Sequence, residues 1–202
     1  MTSPAASLHT SNLLTYGSLT AGILAIAAAL QSSAAGAGAW LALAALLDTF
    51  DGRFARRFDR TSAQQAIGAE LDSLTDAVVF GIAPVISIAI LLSLDRQPMP
   101  LVWWIAAVVY ASSALTRLAH FNVAHESDGF TGLPTPVAAL VWSTLLVWGP
   151  DATRAWSAAL GLGVAMIAPF SIGRPAARGL SVFAAWPLAL LAVHVAHLTR
   201  SW

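Results

Sequence analysis

The chain contains no cysteine and no lysine among its 202 residues. The first absence excludes disulfide staples, thiolate nucleophiles and zinc–thiolate centres. The second leaves arginine as the strongly basic side chain, and ten arginines balance ten acidic residues. No large basic surface follows from that balance, and no nucleic-acid partner is expected. Charge as a whole is scarce, at 10% of residues, where soluble domains carry about 25%. Hydrophobic residues make up 57%, and the mean hydropathy is +0.72. This is the composition of a polytopic helical membrane protein. The opening MTSPAASLHTSN has neither a basic n-region nor a clear cleavage site, so the first apolar stretch reads as a retained helix.

A membrane-crossing helix needs about 20 apolar residues. The sequence predicts helices over roughly 13–30, 37 into the acidic motif at 48–57, 68–94, 101–121, 135–148, 155–170 and 180–198. The expected fold is therefore an all-α transmembrane bundle of about seven spans (six to eight), a single domain over 1–202 with its motif core at 48–76. Turn signals separate the spans at Asp95-Arg96-Gln97-Pro98, Gly149-Pro150-Asp151 and Gly173-Arg174-Pro175. Arg53, Arg56, Arg57 and Arg60 share one side of this topology with Arg174 and Arg178. The excess of arginine puts that side, and the loop between helices two and three, in the cytoplasm. The expected location is the inner membrane. Trp103, Trp104, Trp142, Trp148, Trp156, Trp186 and Trp202 read as interfacial belts, and His194 and His197 as interfacial packing. Asp59, Asp95, Asp128 and Asp151 read as caps or surface charges.

Four other aspartates fall inside predicted helix. Asp48, Asp51 and Ala55 are spaced three and four apart and share one helix face. Gly68, Asp72 and Asp76 are each four apart and share another. If the two faces meet, four carboxylates converge. Charge at membrane depth is costly, so the group requires a partner. Carboxylate oxygens suit Mg²⁺, Mn²⁺ or Ca²⁺; an Arg–Asp network is the alternative without a metal. Gly52, Ala55 and Gly68 remove bulk where phosphates would approach. Arg56 is a fork donor for phosphate. Asn12 and Thr15 open the first helix, either against a nucleotide or as caps.

The string Asp48-x-x-Asp51-Gly52-x-x-Ala55-Arg56, followed by Gly68-x-x-x-Asp72-x-x-x-Asp76, resembles the signature of the CDP-alcohol phosphatidyltransferases. The loop between the two halves, 57–67, is three residues longer than that family's usual spacing, at a place where insertion is tolerated. Leu71-Asp-Ser-Leu-Thr-Asp76 with Phe80-Gly-Ile-Ala-Pro84 is similar to the bacterial and archaeal phosphatidylserine synthases. So is Arg117-Leu-Ala-His-Phe-Asn-Val123 with Gly132-Leu-Pro-Thr-Pro136. Where that group usually has arginine at the fourth position of the Arg117 string, this chain has His120.

The resemblance implies transfer of a phosphatidyl group from CDP-diacylglycerol to the hydroxyl of L-serine, with CMP released. It implies Mg²⁺ or Mn²⁺, two ions, held by Asp48, Asp51, Asp72 and Asp76, with Asp76 also the catalytic base. It further implies CDP and phosphate binding at Gly52, Ala55, Arg56 and Gly68, and a homodimer in membrane lipid. Arg117 is the expected partner of the acceptor, because it lies inside a span; snorkelling to the interface is its alternative. His120 and Asn122 are further acceptor candidates, with packing and helix capping as their alternatives. Arg174 and Arg178 hold lipid phosphate or serve as topological anchors. Other acceptors, such as glycerol phosphate, inositol phosphate and choline, remain open. A cation transporter is the reading from a different class, although no symmetric pair of broken helices is visible.

Overall fold

Polar caps, positive-φ turns and small residues set the frame. The computed structural model describes residues 8–124, 130–172 and 177–200. A single 3₁₀ turn, Thr10–Asn12, leads into α1 (Leu13–Leu30). Next come α2 (Ala34–Ala55) and α3 (Ser62–Asp76). A π-helical segment, Ala77–Ile82, carries α3 into α4 (Ala83–Leu94). Then follow α5 (Leu101–Ala124), α6 (Thr135–Leu146), α7 (Ala152–Ile167) and α8 (Ala177–Arg200). Ser33 caps α2 and Asp151 caps α7, accepting from Gly36 N–H at 3.0 Å and Arg154 N–H at 2.7 Å. Thr61 and Gln64 form a reciprocal capping box on α3, which satisfies two otherwise orphaned donors.

Two of the three predicted turns, at 95–98 and 149–151, are where the chain reverses; the third, 173–175, lies outside the described residues. Arg96 and Gly149 have φ of 52° and 76°. Gln97 ties the two turns together: its amide donates to Pro150 O at 2.8 Å and accepts from Ala152 N–H at 3.0 Å. The third predicted helix is longer than its apolar run. Ser62–Leu94 is one rod of 33 residues, roughly 50 Å at 1.5 Å per residue. That exceeds the ~30 Å hydrocarbon core of a bilayer. Ser62–Leu94, Thr10–Leu30 and Leu101–Val123 are long and apolar enough to cross a membrane. α6 and α7, at 12 and 16 residues, are apolar but short.

The bundle packs α1 on α2, α2 on α6 and α8, and α5 on α7. Small residues permit close approach. Ala21, Ala25, Ala37, Ala42, Ala44 and Ala45 are buried. A Cβ at Gly22 would lie 2.8 Å from Val79. The exterior is apolar instead, with Leu13, Ile23, Ile105, Val108, Leu115 and Val164 all exposed. Such a surface suits lipid and not water.

Two readings of the sequence are corrected here. Trp103 and Trp142 are not interfacial; both are wholly buried. The alanine-rich faces leave volume that the indoles fill, and Tyr110 stacks edge-on against Trp142 at 5.7 Å. Trp104 and Trp148 are exposed, as belts require. His194 is also interior, not interfacial. Its Nε2 lies 3.2 Å from Ser143 Oγ and 3.0 Å from Ser143 O, and Ser143 Oγ donates to Gly38 O at 2.8 Å. A Cβ at Gly38 would meet the imidazole at 2.4 Å, so glycine admits the ring. Arg174, Asp128, Trp202 and the side chain of Arg178 lie outside the described residues.

A two-residue antiparallel ladder, absent from the sequence reading, pairs β1 (Phe130–Thr131) with β2 (Ser171–Ile172). It forms because Gly132, at φ 72°, turns the Gly-Leu-Pro-Thr-Pro segment onto the end of α7. Gly132 N–H donates to Phe170 O and Leu133 N–H to Ala165 O, both at 2.9 Å.

Candidate active site

Asp48 and Asp51 occupy the last two turns of α2, and Asp72 and Asp76 the end of α3. The predicted convergence is present. Carboxylate oxygens of Asp48, Asp72 and Asp76 lie within 4.8 Å of one another. Asp51 sits against Asp72 and accepts from Thr15 Oγ1 at 3.3 Å. Among the described residues Asp76 Oδ1 is buried without a hydrogen-bond partner. A buried carboxylate oxygen left so is costly unless something binds it. An all-oxygen donor set with an orphaned oxygen fits a hard divalent cation.

Asp51 and Asp72 open onto a cavity of about 180 Å³. The four residues predicted to bind CDP, Gly52, Ala55, Arg56 and Gly68, all line it, with Asn12 and Thr15 from the start of α1. Space is tight at Gly68: a Cβ there would lie 3.2 Å from Asn12 Oδ1. Arg60 and Gln65 also line this cavity. From the sequence alone Arg60 reads as a topological charge, and Gln65 has no assigned role.

A second cavity, about 150 Å³, is lined by Thr116, Arg117, His120, Thr131, Met166 and Ile167. Arg117 is 9% exposed, so it does not snorkel to the interface, and it lies within electrostatic reach of Asp76. It therefore stands between the carboxylates and this second space. His120 is brought to the same cavity, one turn along α5. Asn122 is not. Its Oδ1 accepts from Ser73 Oγ at 3.0 Å, which ties α5 to α3 between Asp72 and Asp76. Thr131 reaches the cavity through the β1–β2 ladder and had no sequence signal of its own.

The π-helical segment follows Asp76 directly. Such segments widen a helix locally and often lie at functional sites. Here Tyr110 Oη donates to Phe80 O at 2.7 Å, in the interior. Tyr110→Phe removes that donor and leaves the ring. It is expected to cost about 1–2 kcal/mol of stability and to shift Asp76 relative to Arg117. Thermal unfolding in detergent, beside CMP release, checks both effects.

Three relatives align with roughly two thirds of the chain. The protein named CDP-diacylglycerol–serine O-phosphatidyltransferase in Mycobacterium tuberculosis is 36% identical over 151 residues, 71% of this chain and 50% of its own length. The protein of the same name in Bacillus subtilis is 31% identical over 129 residues, 63% of this chain and 70% of its own length. The archaetidylserine synthase of Methanothermobacter thermautotrophicus is 32% identical over 139 residues, 68% of this chain and 58% of its own length. The chain thus spans about half the length of the mycobacterial relatives it matches. The family model described as CDP-alcohol phosphatidyltransferase matches residues 8–191, a stretch that holds both halves of the aspartate constellation and both cavities. The chain belongs to the CDP-alcohol phosphatidyltransferase family.

Proposed function

We propose that the chain transfers the phosphatidyl group of CDP-diacylglycerol to the hydroxyl of L-serine. The products are phosphatidylserine and CMP. The observation that carries this reading is the meeting of Asp48, Asp72 and Asp76, with Asp51 beside them, at the edge of a cavity lined by Arg56. Serine as acceptor is supported by the names of the relatives and by the second cavity. At about 150 Å³ that space suits a small amino alcohol better than a phosphorylated ring.

Asp48, Asp51, Asp72 and Asp76 hold two divalent ions, Mg²⁺ or Mn²⁺. The ions, when bound, polarise phosphoryl oxygens and offset charge on the leaving group. Arg56, with Gly52, Ala55 and Gly68, receives the CDP diphosphate. Arg117 pairs with the carboxylate of serine and directs its hydroxyl toward Asp76, while His120 shapes the far wall. Asp76 accepts the hydroxyl proton. The serine oxygen forms the new bond to the β-phosphorus as the bond to CMP breaks. The site lies at the cytoplasmic side of the inner membrane, where the polar end of α3 leaves the hydrocarbon. Two copies form the working unit.

The test is purified protein in mixed micelles with CDP-diacylglycerol, Mn²⁺ and a panel of acceptors. The panel is L-serine, glycerol phosphate, inositol phosphate and choline, with lipid products read by mass spectrometry. Phosphatidylserine is expected with serine alone, lost with EDTA and restored by excess Mn²⁺. A different lipid product would overturn the acceptor. No product with any acceptor from folded protein would overturn the transferase reading.

A further inference from the structure

The donor cavity has two basic walls. Arg56 ends α2 and folds over Gly52, with Nη1 3.6 Å from where a Cβ would stand. Arg60 lies across from it on the loop into α3, with Nη1 3.5 Å from the corresponding position at Gly68. Each glycine of the motif thus has a guanidinium above it. Both arginines line the cavity with Asp51 and Asp72 on its floor.

The backbone that carries Arg60 is held in place by the loop itself. Its carbonyl accepts from Gln65 Nε2 at 3.1 Å. The next residue, Thr61, is locked by its backbone N–H to Gln64 Oε1 at 3.0 Å and by Oγ1 accepting from Gln64 N–H at 3.3 Å. A side chain rooted in a fixed backbone has less freedom to lose on binding an oxyanion. Arg57 gives an internal contrast. It is exposed, belongs to the same loop and does not line the cavity.

We infer that Arg60 is a second diphosphate-binding residue, facing Arg56 across the nucleoside diphosphate of the donor. The inference rests on the proposed use of a CDP-linked lipid. It goes beyond that reading by assigning donor affinity to a loop residue outside the aspartate motif.

Calorimetric titration of the full chain in detergent with CDP and Mn²⁺, and separately with cytidine, tests it. Arg60→Gln is expected to weaken CDP by roughly ten- to a hundredfold and to leave cytidine unchanged. Arg60→Lys should recover part of the loss, and Arg57→Gln should match wild type. Equal weakening by Arg60→Gln and Arg57→Gln would reduce the effect to bulk charge and overturn the inference. So would unchanged CDP affinity in Arg60→Gln, or an equal loss for cytidine. Wild-type protein that binds no CDP would overturn the donor reading itself, and Arg60 with it. Wild-type protein that binds CDP but transfers nothing would contradict the transferase reading alone.

Discussion

Asp76→Asn is expected to reduce serine-dependent CMP release by about a thousandfold while CDP affinity stays near wild type. Asparagine keeps the shape of the side chain, so the packing around residue 76 is retained. What is lost is the charged oxygen pair. One of those oxygens, Oδ1, is buried and without a hydrogen-bond partner among the described residues, which leaves it available for a proton or an ion. Asp51 and Asp72 remain at the donor cavity, together with Arg56. Single-turnover release of CMP, set beside calorimetric titration with CDP, separates the two effects. Asp51→Ala should behave differently. It removes the carboxylate that touches both Asp72 and Thr15, so metal and donor binding should fall with turnover. Asp76→Asn with wild-type turnover would remove the residue from the chemistry.

Gly132→Ala is expected to destabilise the protein by about 3 kcal/mol or more, from two additive causes. Its φ of 72° disfavours any side chain, and a Cβ would fall 2.0 Å from Met166 O. That carbonyl is backbone at the end of α7 and cannot swing aside. The midpoint of thermal unfolding in detergent should drop by roughly 6–12 °C. Gly149 provides the control, since its φ is 76° but nothing lies within 4 Å of the added Cβ. Gly149→Ala therefore carries backbone strain alone, about 1 kcal/mol, and should move the midpoint by roughly 2–4 °C. Equal shifts for the two variants would mean that the contact with Met166 contributes nothing. Because Thr131 and Met166 both line the second cavity, Gly132→Ala should also raise the KM for serine.

The carboxylate site was legible because helical periodicity is local. Spacings of three and four place Asp48 with Asp51, and Asp72 with Asp76, whatever surrounds them. The turns at Arg96 and Gly149 were legible for the same reason, through backbone chemistry that short segments carry by themselves. Residues whose role depends on a distant neighbour were not. Trp103 and Trp142 look like belt tryptophans until the alanine faces beside them are known to be close. His194 needs Gly38 and Ser143, from two other helices, to become an interior residue. Thr131 reaches its cavity only through pairing with Ser171. Arg60 counted as one more positive charge, since nothing local shows that its loop folds back over Gly68. Asn122 shows the reverse: a plausible acceptor residue by position, it is engaged by Ser73.

The proposed cation site joins four aspartates from two helices against the donor cavity. Mn²⁺ binding to the purified chain, followed by electron paramagnetic resonance with and without CDP, tests it most directly. Two bound ions are expected in wild type when CDP is present, with loss of both ions and of CDP in Asp51→Ala. Folded wild-type protein that binds CDP with no bound Mn²⁺, or Asp51→Ala that binds Mn²⁺ as wild type does, would contradict it.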